Sequence, residues 1–274
     1  MAFVDEIASG LTLPEALRAD GDSLYFSDAA AGGVYRWTDA GLETVVPKRR
    51  GVGGLALHEA GGIVISGRDL VHARDGETRL LFRAEGALGL NDLLADADGS
   101  VLVGSLRMNW AEPEAGRPGE LWRVGPGGER IVVLEAIDYP NGVGLSPDGR
   151  TVYVADYVGA RIHAADLEDD HFTNHRVLAA LECGNADGLA IDAEGRAWVA
   201  TGPGGSFDCF DAAGRLVDRI EPPASFAVTL CFGGADGRDL YMATADNRAH
   251  PHLGGTIFRT RSDTPGLPVA RARV

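Results

Sequence analysis

Glu15, Asn91, Asn141 and Asp187 stand at matching places in a phrase that this chain repeats, each just ahead of a short apolar run that ends in a tight turn. Further copies of the phrase put Gly53 and Thr229 at the same place, and the six positions are spaced by 38, 38, 50, 46 and 42 residues. Two carboxylates and two carboxamides, with neither sulfur nor imidazole among them, form a donor set for a hard cation such as Ca²⁺, Mg²⁺ or Mn²⁺. Carboxylates brought together in a low-dielectric channel repel one another, so one keeps its proton unless a cation removes the penalty. A single Asn or Asp at a strand start does no more than cap backbone groups after a turn. Capping does not account for four at equivalent places. A cation so held polarises a carbonyl and lowers the pKa of bound water, and a carboxylate within reach takes the proton. Ester or lactone hydrolysis is the natural outcome of such an arrangement.

The elements that bring these residues together are short strands. The clearest copies of the phrase begin at Asp92, Gly142 and Gly188, with the turns Asp96-Ala-Asp-Gly99, Ser146-Pro-Asp-Gly149 and Asp192-Ala-Glu-Gly195. Weaker copies begin at Ala16, Gly54 and Leu230. Apolar runs such as 151–155 and 197–200 are too short for helices and are bounded by Gly-containing turns, as strands are. Many copies end in a third run with an aromatic or apolar beat, at 34–37, 121–124, 161–163, 206–210 and 257–259. Repeats of roughly 40–50 residues, each a small sheet, indicate a propeller. The expected fold is therefore all-β, a six-bladed β-propeller spanning 1–274 as one domain, with a central metal site. The innermost strands line its channel, so the six positions converge. The long third unit holds 107–118 as a loop insertion, and the segment 3–7 is expected to pair with the last blade and close the ring.

Composition narrows the partners. A net charge of −15 over 274 residues argues against nucleic acid and anionic membranes, which need clustered Lys and Arg. No apolar run approaches the ~18 residues that span a bilayer. The first ten residues lack the basic and apolar regions of a signal peptide. Cys183, Cys209 and Cys231 are odd in number and share no ligand spacing, which suits a reducing cytoplasm and small core residues. A small-molecule substrate and a monomer or weak homo-oligomer are expected.

Leu13-Pro-Glu-Ala-Leu17, Asn91-Asp92, Pro140-Asn-Gly142 with its following Ser146-Pro-Asp-Gly149, and Ala186-Asp-Gly-Leu-Ala190 resemble the senescence marker protein/gluconolactonase (regucalcin-like) family. The resemblance covers essentially the whole chain and extends to Cys231-Phe-Gly-Gly-Ala235. It implies a six-bladed propeller with one divalent ion, Ca²⁺ first, with Zn²⁺, Mn²⁺ or Mg²⁺ as alternatives. Carried over by position, it implies Glu15, Asn141 and Asp187 as ligands, Asn91 as a contact to metal-side water or substrate, and Asp187 also as the base. Three departures from the family's sugar-lactone pattern bear on specificity. Leu13-Pro-Glu-Ala16 replaces the family's Gly-Glu-Gly-Pro around the first ligand. Gly89 stands where those members carry Arg, and Leu93 where they carry Gly. Polar groups that read hydroxyls are thereby depleted, and a less hydroxylated lactone or ester than gluconolactone is expected.

Other residues are weaker candidates. Arg107 and Trp110, in the insertion with Met108, either line the substrate mouth or form a solvent loop with one aromatic packed down. Tyr139, Tyr157 and Phe226 are read as aromatic core, and His250 and His252 as surface. Gly104-Ser105 lacks the pattern of a nucleophile elbow, and Gly202-Pro-Gly-Gly205 lacks the Lys and helix of a phosphate loop. Besides the lactonase reading, a phosphotriesterase-like or other metal-assisted enzyme and a non-catalytic calcium-binding or interaction propeller remain open, because fold does not fix substrate.

Overall fold

The apolar runs become antiparallel hairpins wherever an Asp-Gly-type turn reverses the chain. In the computed structural model, which describes residues 4–168 and 171–274, they form six four-stranded sheets among the described residues. Blade one comprises Pro14–Asp20, Ser23–Asp28, Val34–Thr38 and Gly41–Val46. Blade two comprises Leu55–Leu57, Ile63–Ile65, Leu70–Arg74 and Glu77–Phe82. Blade three comprises Gly89–Ala95, Val101–Leu106, Gly119–Val124 and Arg130–Ile137. Blade four comprises Pro140–Leu145, Thr151–Asp156, Arg161–Glu168 and His171–Ala180. Blade five comprises Leu189–Ile191, Ala197–Ala200, Phe207–Phe210 and Leu216–Ile220. Blade six takes Ala227–Gly233, Asp239–Thr244 and Gly255–Arg261 from the end of the chain and Asp5–Leu11 from its start.

The arrangement is a six-bladed β-propeller. Its core is divided among the gaps between blades. Leu102, Leu121 and Ile137 of blade three meet Val143, Val152 and Val154 of blade four, and each other pair of neighbours has its own such cluster. The gap between the last blade and the first is filled in the same way, by Leu17, Leu24 and Phe26 against Tyr241 and Ile257. The pairing of Glu6 with Phe258 and Leu11 with Gly255 completes the closure. That strand starts at Asp5, and Phe3 lies outside the described residues.

All six inner strands run the same way, from a mouth where they begin to a mouth where their hairpin turns lie. The C-terminal segment crosses the hairpin mouth. Ala193 N donates to Pro265 O at 2.8 Å, Glu59 N to Ala272 O at 2.9 Å, Ala272 N to Leu57 O at 2.8 Å and Arg273 N to Gly99 O at 2.8 Å. Segment 107–118 lies instead at the mouth where inner strands begin, with one 3-10 turn at Pro113–Ala115. No helix among the described residues is long and apolar enough to cross a membrane. Cys209 and Cys231 are buried as expected of small core residues, but Cys183 is exposed, because it falls in the entry loop of blade five rather than in a strand.

Candidate active site

Backbone pairing fixes which residues are equivalent at the open mouth. Ala29 N donates to Leu13 O at 2.8 Å, Tyr157 N to Tyr139 O at 3.0 Å and Ala245 N to Phe226 O at 3.0 Å. Two residues beyond each acceptor stand Glu15, Asn141 and Val228. The sixth position is thus Val228, wholly buried, and Thr229 sits one place on, where blade four has Gly142. The ring of equivalent residues is Glu15, Gly53, Asn91, Asn141, Asp187 and Val228.

Local irregularity turns these residues off the regular ladder. The register shifts between Glu15 and Arg18 in blade one, and between Pro140 and Val143 in blade four. Ala16 carries the shift with φ +57°, a left-handed conformation that costs a non-glycine residue about 1 kcal/mol or more. Gly53 makes room for its neighbour, since a Cβ there would collide with Asn91 Oδ1. Asn91 Nδ2 donates to Pro140 O of the neighbouring blade at 3.1 Å. Asn141 Nδ2 donates to Asp187 Oδ1 at 2.6 Å, which turns Asn141 Oδ1 away from that carboxylate.

Glu15 is different. It makes no side-chain hydrogen bond or ion pair among the described residues, although it is only half-exposed at the mouth. Burial, then the charges of Asp187 and Asp92, push its carboxyl well above the usual range. Asp187, 4% exposed, is also pushed well up by burial, against the lowering effect of the Asn141 bond. Two acids raised in this way are an uncompensated pair. Among the described residues no three His, Cys, Asp or Glu side chains gather as a metal-binding group. The set here is two carboxylates and two carboxamides.

The floor was not anticipated. Asp92 accepts a bond from its neighbour Leu93 N at 2.8 Å and lies 3.4 Å from the guanidinium of Arg18. Burial raises Asp92 to about 6 despite Arg18 and two backbone donors. Arg18 Nη1 donates to Leu17 O at 2.8 Å, and Nη2 donates to Leu93 O. Only the Asn91-Asp92 doublet hinted at this in sequence, since its partner Arg18 is 74 residues away.

The walls are aromatic. Tyr139 and Tyr157, expected in the core, are partly exposed at this mouth, with ring centres 6.0 Å apart. Each phenol is pushed up to about 12 by burial first and then by the charges of Asp187 and Glu15. Trp110, 58% exposed, meets Tyr157 edge-on at 6.2 Å. Phe226 is partly buried in the entry of blade six. Arg107 turns elsewhere. Its Nη2 donates to Glu120 Oε2 at 2.8 Å and its Nη1 to Glu85 O at 2.9 Å, so it ties the base of the insertion to blade three. His250 pairs with Glu6 at 3.0 Å on the surface.

Residues 13–246 match the family described as the SMP-30/Gluconolactonase/LRE-like region. The chain belongs to this family. A 6-deoxy-6-sulfogluconolactonase of Pseudomonas putida is 29% identical over 262 residues, covering 89% of this chain and 88% of that protein. The fold matches a luciferin-regenerating enzyme with a TM-score of 0.89 at 20% identity, over 100% of both chains. It also matches regucalcin of Agrobacterium tumefaciens, described as a calcium-binding protein, with a TM-score of 0.84 at 21% identity, over 100% of this chain and 98% of that one. Within this family frame, Ala16 and Gly89 are informative. Ala16 adopts the left-handed backbone that a glycine takes freely. A Cβ on Gly89 would stand 3.0 Å from Gly67 O, a tight fit that disfavours a longer residue there.

Proposed function

We propose that the chain, as one propeller domain, hydrolyses a lactone or related ester with one divalent ion held at the open mouth. The observation that carries this reading is the unpartnered Glu15 carboxylate, raised by burial and then by the charge of the Asp187 carboxylate, with the Asn141 carboxamide bonded to Asp187. Buried carboxylates are normally paired or bound to metal, and an all-oxygen set fits a hard cation, Ca²⁺ before Zn²⁺, Mn²⁺ or Mg²⁺. Glu15, Asn141 and Asp187 are the proposed ligands. When bound, the ion supplies Lewis-acid polarisation of the substrate carbonyl and offsets the repulsion between the two acids.

The residues of the chain do the rest. Asp187 has one oxygen engaged by Asn141 and the other free for a water proton. The water oxygen bonds to the carbonyl carbon, and Asp187 takes the proton released. The ring C–O bond then breaks, and the departing oxygen receives that proton, leaving a hydroxy acid. Asn91 holds the wall between Gly53 and Pro140 against which the substrate rests. Trp110, Tyr139 and Tyr157 offer apolar faces, which with Gly89 favours a substrate with few ring hydroxyls. Arg107 contributes by fixing the insertion that carries Trp110.

A pH-indicator assay over a panel of lactones and phosphotriesters, with and without chelator, tests this reading. Turnover of lactones that chelator abolishes and Ca²⁺ restores is expected, with higher kcat/KM for lactones lacking ring hydroxyls than for gluconolactone. Turnover of no lactone, or activity indifferent to chelator, refutes the proposal. A clear preference for gluconolactone refutes its specificity.

A further inference from the structure

Three aspartates outside the ring do one job in three blades. In blade one, Asp28 accepts from Thr12 N at 2.8 Å, Leu13 N at 3.2 Å and Ala31 N at 2.9 Å. In blade four, Asp156 accepts from Asp138 N at 3.3 Å, Tyr139 N at 2.9 Å and Gly159 N at 3.1 Å. The first two donors of each set lie three and two residues ahead of Glu15 and of Asn141. In blade six the corresponding acceptor is Asp246, which takes Ser225 N at 2.8 Å and Phe226 N at 3.0 Å, three and two residues ahead of Val228. Backbone N–H groups entering a strand have no ladder partner, and one carboxylate that takes two in a row fixes the direction of entry.

Blades three and five enter the ring without such a carboxylate. There Leu90 N donates to Gly67 O at 2.6 Å, and Asn185 N and Asp187 N donate to Thr201 O and Ala200 O at 3.0 and 2.9 Å. Two of the three carboxylate-clamped blades thus carry proposed ion ligands, and the third carries a valine. An ion site tolerates only small errors in the placement of its oxygens. We infer that Asp28 and Asp156 are positioning residues that set the ion-holding oxygens of Glu15 and Asn141, and through the Asn141 bond that of Asp187. The inference rests on the reading above that these residues hold a divalent ion. Asp246 is its internal control, because it makes the same clamp on a residue with no oxygen to offer.

The experiment is calorimetric titration of Ca²⁺ into chelator-dialysed wild type, Asp28→Ala, Asp156→Ala and Asp246→Ala, with the melting temperature of each. Asp28→Ala and Asp156→Ala should weaken Ca²⁺ binding roughly 10–100-fold, the usual effect of losing a group that orients a ligand. Asp246→Ala should lower the melting temperature as Asp28→Ala does, yet leave Ca²⁺ affinity within about twofold of wild type. Asp156 also receives Arg161 Nε at 3.1 Å and lies 3.2 Å from His163 Nε2. If its alanine variant does not fold, Asp28→Ala against Asp246→Ala decides the matter. Asp28→Asn keeps the bonds to Oδ1 and loses the one from Thr12 N, so it should fall between Asp28→Ala and wild type. Equal loss of affinity in Asp28→Ala and Asp246→Ala, or none in Asp28→Ala, overturns the inference. Wild-type protein that takes up no Ca²⁺ refutes instead the ion reading on which it rests.

Discussion

Glu15, partly buried, and Asp192, wholly buried, are acids at opposite mouths of one channel, and they are treated in opposite ways. Asp192, wholly buried at the hairpin mouth, receives Arg196 Nε at 2.7 Å, Trp198 Nε1 at 3.1 Å and the backbone N–H groups of Glu194 and Arg196 at 3.0 Å. Glu15 at the open mouth receives nothing and faces Asp187. Beneath the Arg18–Asp92 pair, the hairpin mouth encloses a cavity of about 420 Å³ lined mainly by small and apolar residues such as Ala56, Ala95, Gly144 and Leu230, and by 267–270 of the C-terminal segment. One mouth satisfies its charge and is strapped across by backbone bonds; the other leaves charge waiting and is rimmed by partly exposed aromatics. That contrast is what the proposed ion site accounts for, since a buried acid normally finds a partner. On the proposed reading the first mouth serves stability and the second binding.

The largest effect that tests this contrast lies at the open mouth. Asp187→Asn keeps size and one oxygen but accepts no proton, so turnover should fall roughly 10²–10⁴-fold even at saturating ion. Glu15→Gln should weaken the ion but recover turnover further as the ion is raised. Measuring kcat for both variants across a Ca²⁺ titration separates base from ligand. The reverse pattern would exchange the two roles.

At the strapped mouth, deletion of 268–274 removes the bonds of Ala272 and Arg273 and uncovers the cavity. Scanning calorimetry should show a melting temperature lower by roughly 5–15 °C. The kcat/KM of the folded fraction should stay within about twofold of the full chain, since the backbone bonds of Ala272 and Arg273 go to Leu57, Glu59 and Gly99 and to no ring residue. Loss of activity in a protein that remains folded would break the division between the mouths.

The smallest effect sharpens the comparison by its sign. In chelator, Glu15→Gln should raise the melting temperature by a few degrees, because it removes the repulsion with Asp187. Asp192→Asn should lower it by removing the buried charge that faces Arg196 Nε. The pH dependence follows from the raised carboxyls. A folded-state value above the ordinary one means that the folded chain holds the proton longer, so the stability it contributes is present at low pH and is lost as pH rises through the raised value. The gain from Glu15→Gln should therefore grow with pH above about 4.5. A gain that shrinks with rising pH would contradict the raised acids.

Much of this was legible in the sequence because turns and inner strands carry strong signals. The copies at Asp92, Gly142 and Gly188 mark three blades outright, and the weaker copies at Ala16 and Gly54 locate Glu15 and Gly53. The outermost strands were not read. Leu216–Ile220 and Glu77–Phe82 are edge strands whose exposed residues lack the apolar alternation that identifies a strand. The choice of Thr229 over Val228 was a one-residue slip in a run where Val228, Thr229 and Leu230 are all acceptable strand residues and no turn residue marks the register. Tyr139 and Tyr157 look like core aromatics by type; their place at the mouth depends on loops from blade four. The Arg18–Asp92 pair and the C-terminal strap join residues far apart in the chain, which periodicity does not reveal. The clamps were half visible, as an acid closing the second strand at Asp28 and again at Asp156.

Ion stoichiometry tests the central claim most directly. Protein dialysed against chelator and then titrated with Ca²⁺ should bind close to one ion per chain, release protons as the raised carboxyls ionise, and gain melting temperature as ion is added. The Glu15→Gln, Asp187→Asn double variant should do none of these while remaining folded. Wild-type protein that binds no divalent ion, or a double variant that binds as wild type does, would contradict the account of the open mouth.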